Sequence, residues 1–259
     1  MNQPDHTDAA TQTPVPFPRI RTVPILAPFG WLSRGLDDIK QCPGPSLCYG
    51  ACFAVMGLLL KTVFRNAYEY TSALTTGFLL VAPFLAIGLY DISRRRERGD
   101  ACALTPTLTA WRPQVGSIGI YSLVLIVIFL VWARASLVIF ALFYTREMPT
   151  LQGFMQQVLS LDNREFLLVY FGAGLVFATL VFAVSVISIP LMLDRGQDTV
   201  TAMIASSLAL ARNAPTLFLW AALIVALTAI GFGAAYVGLV VTMPLVGHAT
   251  WHAYRALVE

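Results

Sequence analysis

The chain has 259 residues, 57% hydrophobic and 12% charged, with a net charge of +3 and a mean hydropathy of +0.71. A water-soluble domain carries about a quarter charged residues. This composition leaves too little polar surface to face water all round, so lipid is the solvent for much of the chain. Basic residues follow position along the chain rather than gathering with interleaved aromatics, which argues against a nucleic-acid surface.

Residues 1–28 are polar and rich in Pro, Thr and Asp, without the basic start and apolar core of a signal peptide. Pro14, Pro16, Pro18, Pro24 and Pro28 predict a disordered cytoplasmic leader. Phe29, Leu32, Leu36 and Ile39 then recur at helical spacing, with Arg34, Asp37, Asp38 and Lys40 elsewhere around the helix, up to Cys42-Pro43-Gly44-Pro45. This pattern predicts an interfacial amphipathic helix turned into the membrane by a proline corner.

Apolar runs follow at about 46–64, 71–92, 118–143, 166–193 and 216–247. The first four are near the ~20 residues that cross ~30 Å of hydrocarbon. The last is too long for one crossing, and Gly231-Phe232-Gly233 in its middle predicts a turn between helices at about 214–231 and 234–255. Amphipathic segments precede the third and fifth spans as well. Leu104 to Arg112-Pro113 is a short one; Val200, Ile204, Leu208 and Ala211 lead to Arg212-Asn213-Ala214-Pro215. The second span of each pair carries a late proline, Pro83, Pro190 or Pro244.

The expected fold is therefore all-α and membrane-integral. Residues 29–255 form six transmembrane helices, as three divergent repeats of amphipathic interfacial helix plus helical hairpin. In the long loop, Leu151, Phe154, Met155, Val158 and Leu159 predict a short outer interfacial helix at 150–160.

Six spans put Arg19, Arg21, Arg34, Lys40, Arg94, Arg95, Arg96, Arg98, Arg112, Arg195, Arg212 and Arg255 on one side. Lys61, Arg65, Arg146 and Arg164 fall on the other, and Arg134 lies within a span. The positive-inside rule then places both termini in the cytoplasm of a bacterial inner membrane.

Few residues carry chemistry. Arg134 sits inside an apolar stretch, where a charge costs ~2.5–3.5 kcal/mol or more. It reads as a ligand contact, an internal anchor, or a side chain snorkelling to the outer interface. His248 and His252 point two imidazoles from one helical face, a spacing compatible with metal or haem ligation, yet they neighbour the interfacial residues Trp251, Tyr254 and Arg255. Arg94, Arg95, Arg96 and Arg98 follow Asp91 and serve topology or anionic headgroups. Cys42, Cys48, Cys52 and Cys102 show neither metal spacing nor a disulfide pattern. Small residues at turn spacing, such as Ser46, Gly50 and Ala54, allow close helix packing. No P-loop, HExxH, GxSxG or C-x-x-C occurs, and no acid falls at mid-membrane depth.

Trp31-Leu32-Ser33-Arg34-Gly35-Leu36-Asp37-Asp38 and Pro45-Ser46-Leu47-Cys48-Tyr49-Gly50 resemble the opening of bacterial integral membrane proteins grouped as domain of unknown function 2189. Pro244-Leu245-Val246-Gly247-His248-Ala249-Thr250-Trp251-His252-Ala253-Tyr254-Arg255 is similar to that family's closing segment. Arg212-Asn213-Ala214-Pro215 and Trp132-Ala133-Arg134-Ala135 fit as well, so the resemblance spans about 30–255. It implies a six-helix inner-membrane protein without an established activity. Some members of the family are described as cytochrome c oxidase proteins. A catalytic haem-copper subunit needs more spans and more histidine ligands than His6, His248 and His252 supply.

The expected function is non-catalytic, with lipid contacts and no resident cofactor, as an accessory or assembly component of a larger, respiratory membrane complex. The alternatives are a carrier or sensor of an anionic or amphipathic molecule using Arg134, and haem or metal binding at His248 and His252.

Overall fold

The computed structural model describes residues 17–66, 71–143 and 164–259. Their regular structure is helical: α1 (Ala27–Gln41), α2 (Pro43–Asn66), α3 (Thr71–Glu97), α4 (Leu104–Thr107), α5 (Val115–Phe143), α6 (Arg164–Ser185), α7 (Ser188–Arg195), α8 (Thr199–Arg212), α9 (Ala214–Gly233) and α10 (Leu239–Leu257), with a 3-10 turn at Arg112–Gln114. The expected outer helix at 150–160 lies outside the described residues.

Proline sets the corners. Pro43 opens α2 directly after Cys42, and Pro215 sits in the first turn of α9 after Asn213. At those positions the missing N–H has no intrahelical partner to lose. Asp198 caps α8, its carboxylate accepting from the Thr201 backbone N–H at 3.0 Å. Hydrogen bonds from Thr201 hold the Asp198 carboxyl below the usual carboxylate range. The amphipathic segment before the third span is shorter than expected: α4 has four residues, and the 3-10 turn completes it.

Among the described residues four stretches are long and apolar enough to cross a membrane: Pro43–Val63, Leu104–Phe143, Arg164–Arg195 and Ala214–Gly233. The other two long helices, α3 and α10, carry the polar groups treated below.

Two sequence expectations change in detail. The run expected as one helix at 166–193 is broken at Val186–Ile187, between α6 and α7. Pro190 explains the break, since its ring and absent N–H disturb the carbonyl four residues earlier, at Val186. A serine fills the gap: Ser206 donates to the Ala183 carbonyl at 2.6 Å and accepts from the Ile187 N–H at 3.4 Å, while Ser188 donates to the Val184 carbonyl at 2.6 Å. The hairpin turn expected at Gly231–Gly233 lies instead between Gly233 and Leu239. Ala235 (φ 53°) and Tyr236 (φ 69°) adopt the left-handed region there, at a cost of roughly 1–2 kcal/mol per non-glycine residue. Gly231 is a packing residue, facing Leu239 and Thr242 across the hairpin.

The helix that the others grip is α10, with thirteen of its nineteen residues buried. Two glycines admit their helices against its backbone. A Cβ on Gly35 of α1 would lie 2.9 Å from the Ala249 nitrogen. One on Gly50 of α2 would lie 2.0 Å from the Val240 carbonyl oxygen, the group that Pro244 leaves without an intrahelical donor.

The amphipathic helices sit in part the other way round from a soluble-protein reading. Phe29 and Leu36 of α1 are exposed, as are Val200 and Ile204 of α8. Trp31, Gly35 and Asp38 of α1 are buried instead, with Ala202, Ala205, Ser206 and Ala209 of α8. Part of the apolar surface, at Phe29, Leu36, Val200 and Ile204, therefore faces outward, while Trp31, Ile39 and Leu210 pack inward with the small and polar residues.

The two ends of the described chain meet. Ile20 pairs with Val258 in an antiparallel bridge, Arg21 N donates to the Leu257 carbonyl at 2.8 Å, and Glu259 N donates to the Arg19 carbonyl at 3.0 Å. Asn213 holds the same strand, accepting from Val23 N at 2.9 Å and donating to the Arg21 carbonyl at 2.9 Å. Within the 1–28 stretch expected as a disordered leader, Arg19–Val23 is held by backbone pairing with the C-terminal residues and by the α8–α9 corner.

A Gly50→Val substitution drives a branched side chain into backbone and is expected to cost at least about 3 kcal/mol, the upper end for overpacking. Gly30→Ala, with nothing within 4 Å of its would-be Cβ, should be neutral or stabilising by about 0.5–1 kcal/mol. Thermal unfolding in mild detergent distinguishes the pair, and equal melting temperatures would refute the close approach.

Candidate functional site

Polar side chains gather at the end of the bundle where α1, α2, α3 and α10 meet. Helical spacing places them: His248 and His252 are one turn apart on α10, Ser93 and Arg96 are one turn apart on α3, and Asp38 lies in the last turn of α1. Asp38 and Ser93 are each 1% exposed, Ser46 and His248 are 0%, and His252 is 6%.

Asp38 is the hub. Its Oδ1 pairs with Arg96. Its Oδ2 lies 2.5 Å from Ser93 Oγ and 3.0 Å from His252 Nε2. Ser93 has one hydroxyl hydrogen and gives it to Asp38, so at 2.7 Å from His248 Nδ1 its oxygen accepts. That fixes the proton of His248 on Nδ1 and leaves Nε2 to accept from Ser46 Oγ at 2.9 Å. The result is a directed chain, Ser46 to His248 to Ser93 to Asp38, with His252 and Arg96 donating to the same carboxylate. Removing a carboxylate from water costs several kcal/mol, and only such a complete set of donors offsets it.

Around this hub the charges at the same end of the bundle pair with one another. Arg94 and Arg95 both bind Asp91, at 2.5 and 2.7 Å, and Asp91 is fully buried. Arg94 also donates to the Leu193 carbonyl at 2.9 Å, tying α3 to α7. Arg96 Nε donates to Gln41 Oε1 at 2.8 Å. Asp194 accepts from Tyr254 Oη at 2.7 Å and lies 3.6 Å from Arg255 and 3.9 Å from Arg98. Arg255 in turn pairs with Glu97 at 3.2 Å. The arginine run read for topology or headgroups thus ties α3 to α1 and α7 at one end, and Arg255 ties α10 to the same end.

Of the sequence candidates, His248 and His252 are brought together, though as hydrogen-bond partners: both ring nitrogens of His248 face hydroxyls. Among the described residues no three His, Cys, Asp or Glu side chains are placed to hold a metal ion. Arg134 stands apart. It lies nineteen residues beyond Val115 in α5, about 28 Å along the axis from the helix start. Its side chain is exposed, with no hydrogen bond or ion pair among the described residues, and it lines none of the described cavities. Cys42 and Cys102 form a disulfide, while Cys48 and Cys52 are free and exposed. The sequence spacing gave no sign of that pairing. Gly99, at φ 78°, turns the chain back after α3 and so brings Cys102 to the α1–α2 corner.

From the sequence, Asp38 and Ser46 carried only helix-face and packing roles, and Ser93 carried none. A signal for them existed: two imidazoles on one face of a largely apolar helix require partners, and short-chain polar residues on neighbouring helices supply them.

Apolar helices of spanning length, closed at one end by buried ion pairs, define an integral membrane protein in contact with lipid. The profile of the family described as "Predicted integral membrane protein (DUF2189)" matches residues 71–194, from the start of α3 into α7. Of the segments carrying the resemblance in the sequence, Trp132-Ala133-Arg134-Ala135 lies inside this match, and those before residue 71 and after residue 194 lie outside it. No curated protein and no solved structure matches the chain.

Asp38→Ala strands Arg96, His252 and Ser93 and is expected to cost about 3–5 kcal/mol. Ser46→Ala, which leaves one ring nitrogen unpaired, should cost about 1–3 kcal/mol. Thermal unfolding of the purified variants reads both, and an Asp38→Ala protein as stable as wild type would contradict the network.

Proposed function

We propose that the protein is a non-catalytic, six-span component of the bacterial inner membrane that acts through helix and lipid contacts as an accessory of a larger, respiratory-type complex. The observation that carries this reading is the consumption of its polar groups. Among the described residues, the ionisable side chains buried at the closed end, Asp38, Asp91, His248 and His252, are spent on one another and on neighbouring arginines and serines.

The outer surface supports it from the other side. Leu142, Leu168, Leu175 and Val176 are at least two-thirds exposed, and α6 and α9 flank an apolar cavity of about 550 Å³ that includes Ala178, Ala221 and Ala222. Small residues lining an apolar groove suit a partner helix.

For topology, the ends of α3, α7 and α10 and the segment at Arg19–Val23 share one charged face, which supports an even number of crossings between them. Counting α3 and α10 as crossings gives six, and the Arg-rich face is then cytoplasmic. The Cys42–Cys102 pair would sit on that face, where disulfides are rare and usually redox-active. The three proline corners, at Pro43, Pro113 and Pro215, support the reading as three units of interfacial helix plus hairpin. Arg134, in the outer part of α5, fits a snorkelling anchor better than a ligand contact.

Purification in mild detergent with cross-linking and mass spectrometry tests the accessory role. We expect a reproducible membrane-protein partner cross-linked to α6 or α9; a chain that runs alone under every condition would defeat the proposal. A C-terminal alkaline phosphatase fusion should be inactive, and an active one would reverse the orientation.

A further inference from the structure

A cavity of about 370 Å³ opens between α2, α3, α9 and α10, on the far side of the bundle from the Asp38 hub. Lys61, at its mouth, is fifteen residues beyond Ser46 on the same helix, about 22 Å away along the axis. The volume falls in the range of small-molecule sites, roughly 300–1,000 Å³. Its walls include Phe53, Met56, Phe78 and Met243, and methionines give such walls an adaptable, polarizable lining.

What separates this cavity from the larger apolar ones, between α5 and α6 and between α6 and α9, is a cation. No charged side chain lines either of those two. Here the Lys61 ammonium stands 5.1 Å from the centre of the Tyr236 ring, and no carboxylate pairs with it among the described residues. The ring holds the cation over the opening by the attraction of its negative face. Tyr236 in turn stacks edge-on to Phe232, with centroids 5.3 Å apart. It reaches this position from a left-handed backbone conformation, φ 69°, although Gly233 and Gly238 stand nearby in the same turn. Strained non-glycine residues tend to persist where they set up a binding site. Thr228 adds a hydroxyl to an otherwise apolar wall.

We propose that this cavity binds a single-chain anionic amphiphile, its carboxylate or phosphate on Lys61 and its acyl chain along Phe53, Met56 and Met243. A neutral chain could occupy the walls but would make no ion pair with the exposed Lys61; a small hydrophilic anion would leave the walls empty. The ligand class is therefore fixed by both halves of the site, and Arg134 takes no part in it. The two natural sources of that chemistry are a free fatty acid and a lysophospholipid head.

The test is equilibrium binding to the full-length protein in nanodiscs of zwitterionic lipid. Oleate, oleoyl lysophosphatidate and oleyl alcohol serve as probes of equal chain length. At least one anion should bind saturably with one site per chain, and the alcohol about tenfold more weakly or worse. Oleate alone identifies a fatty-acid site, lysophosphatidate alone a phospholipid-head site, and both together the shared chemistry. Lys61→Gln should lower anion affinity about tenfold, to the level of the alcohol, while Lys61→Arg retains it. Met56→Trp, which fills the cavity, should abolish saturable binding with an unchanged circular dichroism spectrum. Alcohol binding as tight as oleate, an undiminished Lys61→Gln protein, or no saturable anion binding would each overturn the proposal.

Discussion

A carboxylate sealed where three helices meet must be surrounded by donors, or the helices cannot close. Asp38 on α1 receives Ser93 and Arg96 from α3 and His252 from α10, and Ser93 relays the contact to His248 and then to Ser46 on α2. Hydrophobic burial gives little preference between one helix pairing and another when the solvent is lipid. Direction and register at this end of the bundle come instead from hydrogen bonds that each require a particular partner.

Backbone proximity then completes what the polar hub begins. Gly35 and Gly50 let α1 and α2 lie directly on α10, and Pro244 frees the Val240 carbonyl at the point where Gly50 approaches. The second ring of pairs, Asp91 with Arg94 and Arg95 and Asp194 with Arg255 and Tyr254, extends the same end to α7. The far end is built differently, from apolar surfaces, a strained hairpin turn at Ala235–Tyr236 and the cavity under Lys61. One half of the molecule is thus tied by charge, and the other presents apolar surface outward.

Much of the architecture was legible because membrane length and proline punctuation are strong signals: α2, α5 and α9 lie close to their apolar runs, and the corners at Pro43, Pro113 and Pro215 fall where expected. The helix break near Pro190 was missed because a late proline reads alike in a continuous helix, as at Pro83 and Pro244, and in a broken one. Ser206 decides the difference through its tertiary contacts with Ala183 and Ile187. The stripe on α1 was legible as a period but not as a direction: Phe29 and Leu36 face outward, while Trp31 and Ile39 pack inward beside Asp38. His248 and His252 stood out as a pair, yet their role depended on residues 155 and more positions away in the chain, at Ser93, Ser46 and Asp38.

The hub carries a claim that goes beyond its separate bonds, namely that the side chains on α1, α3 and α10 act as one unit. A double-mutant cycle between Asp38 and His248, whose Nδ1 lies 3.8 Å from Asp38 Oδ2 with Ser93 bridging the two, addresses that claim most directly. Thermal or denaturant unfolding of Asp38→Ala, His248→Ala and the double variant should show a coupling of about 1–3 kcal/mol, the second loss being much smaller once the first is made. Additivity within about 0.3–0.5 kcal/mol would mean that the two sites are independent and that the bundle is closed by packing alone.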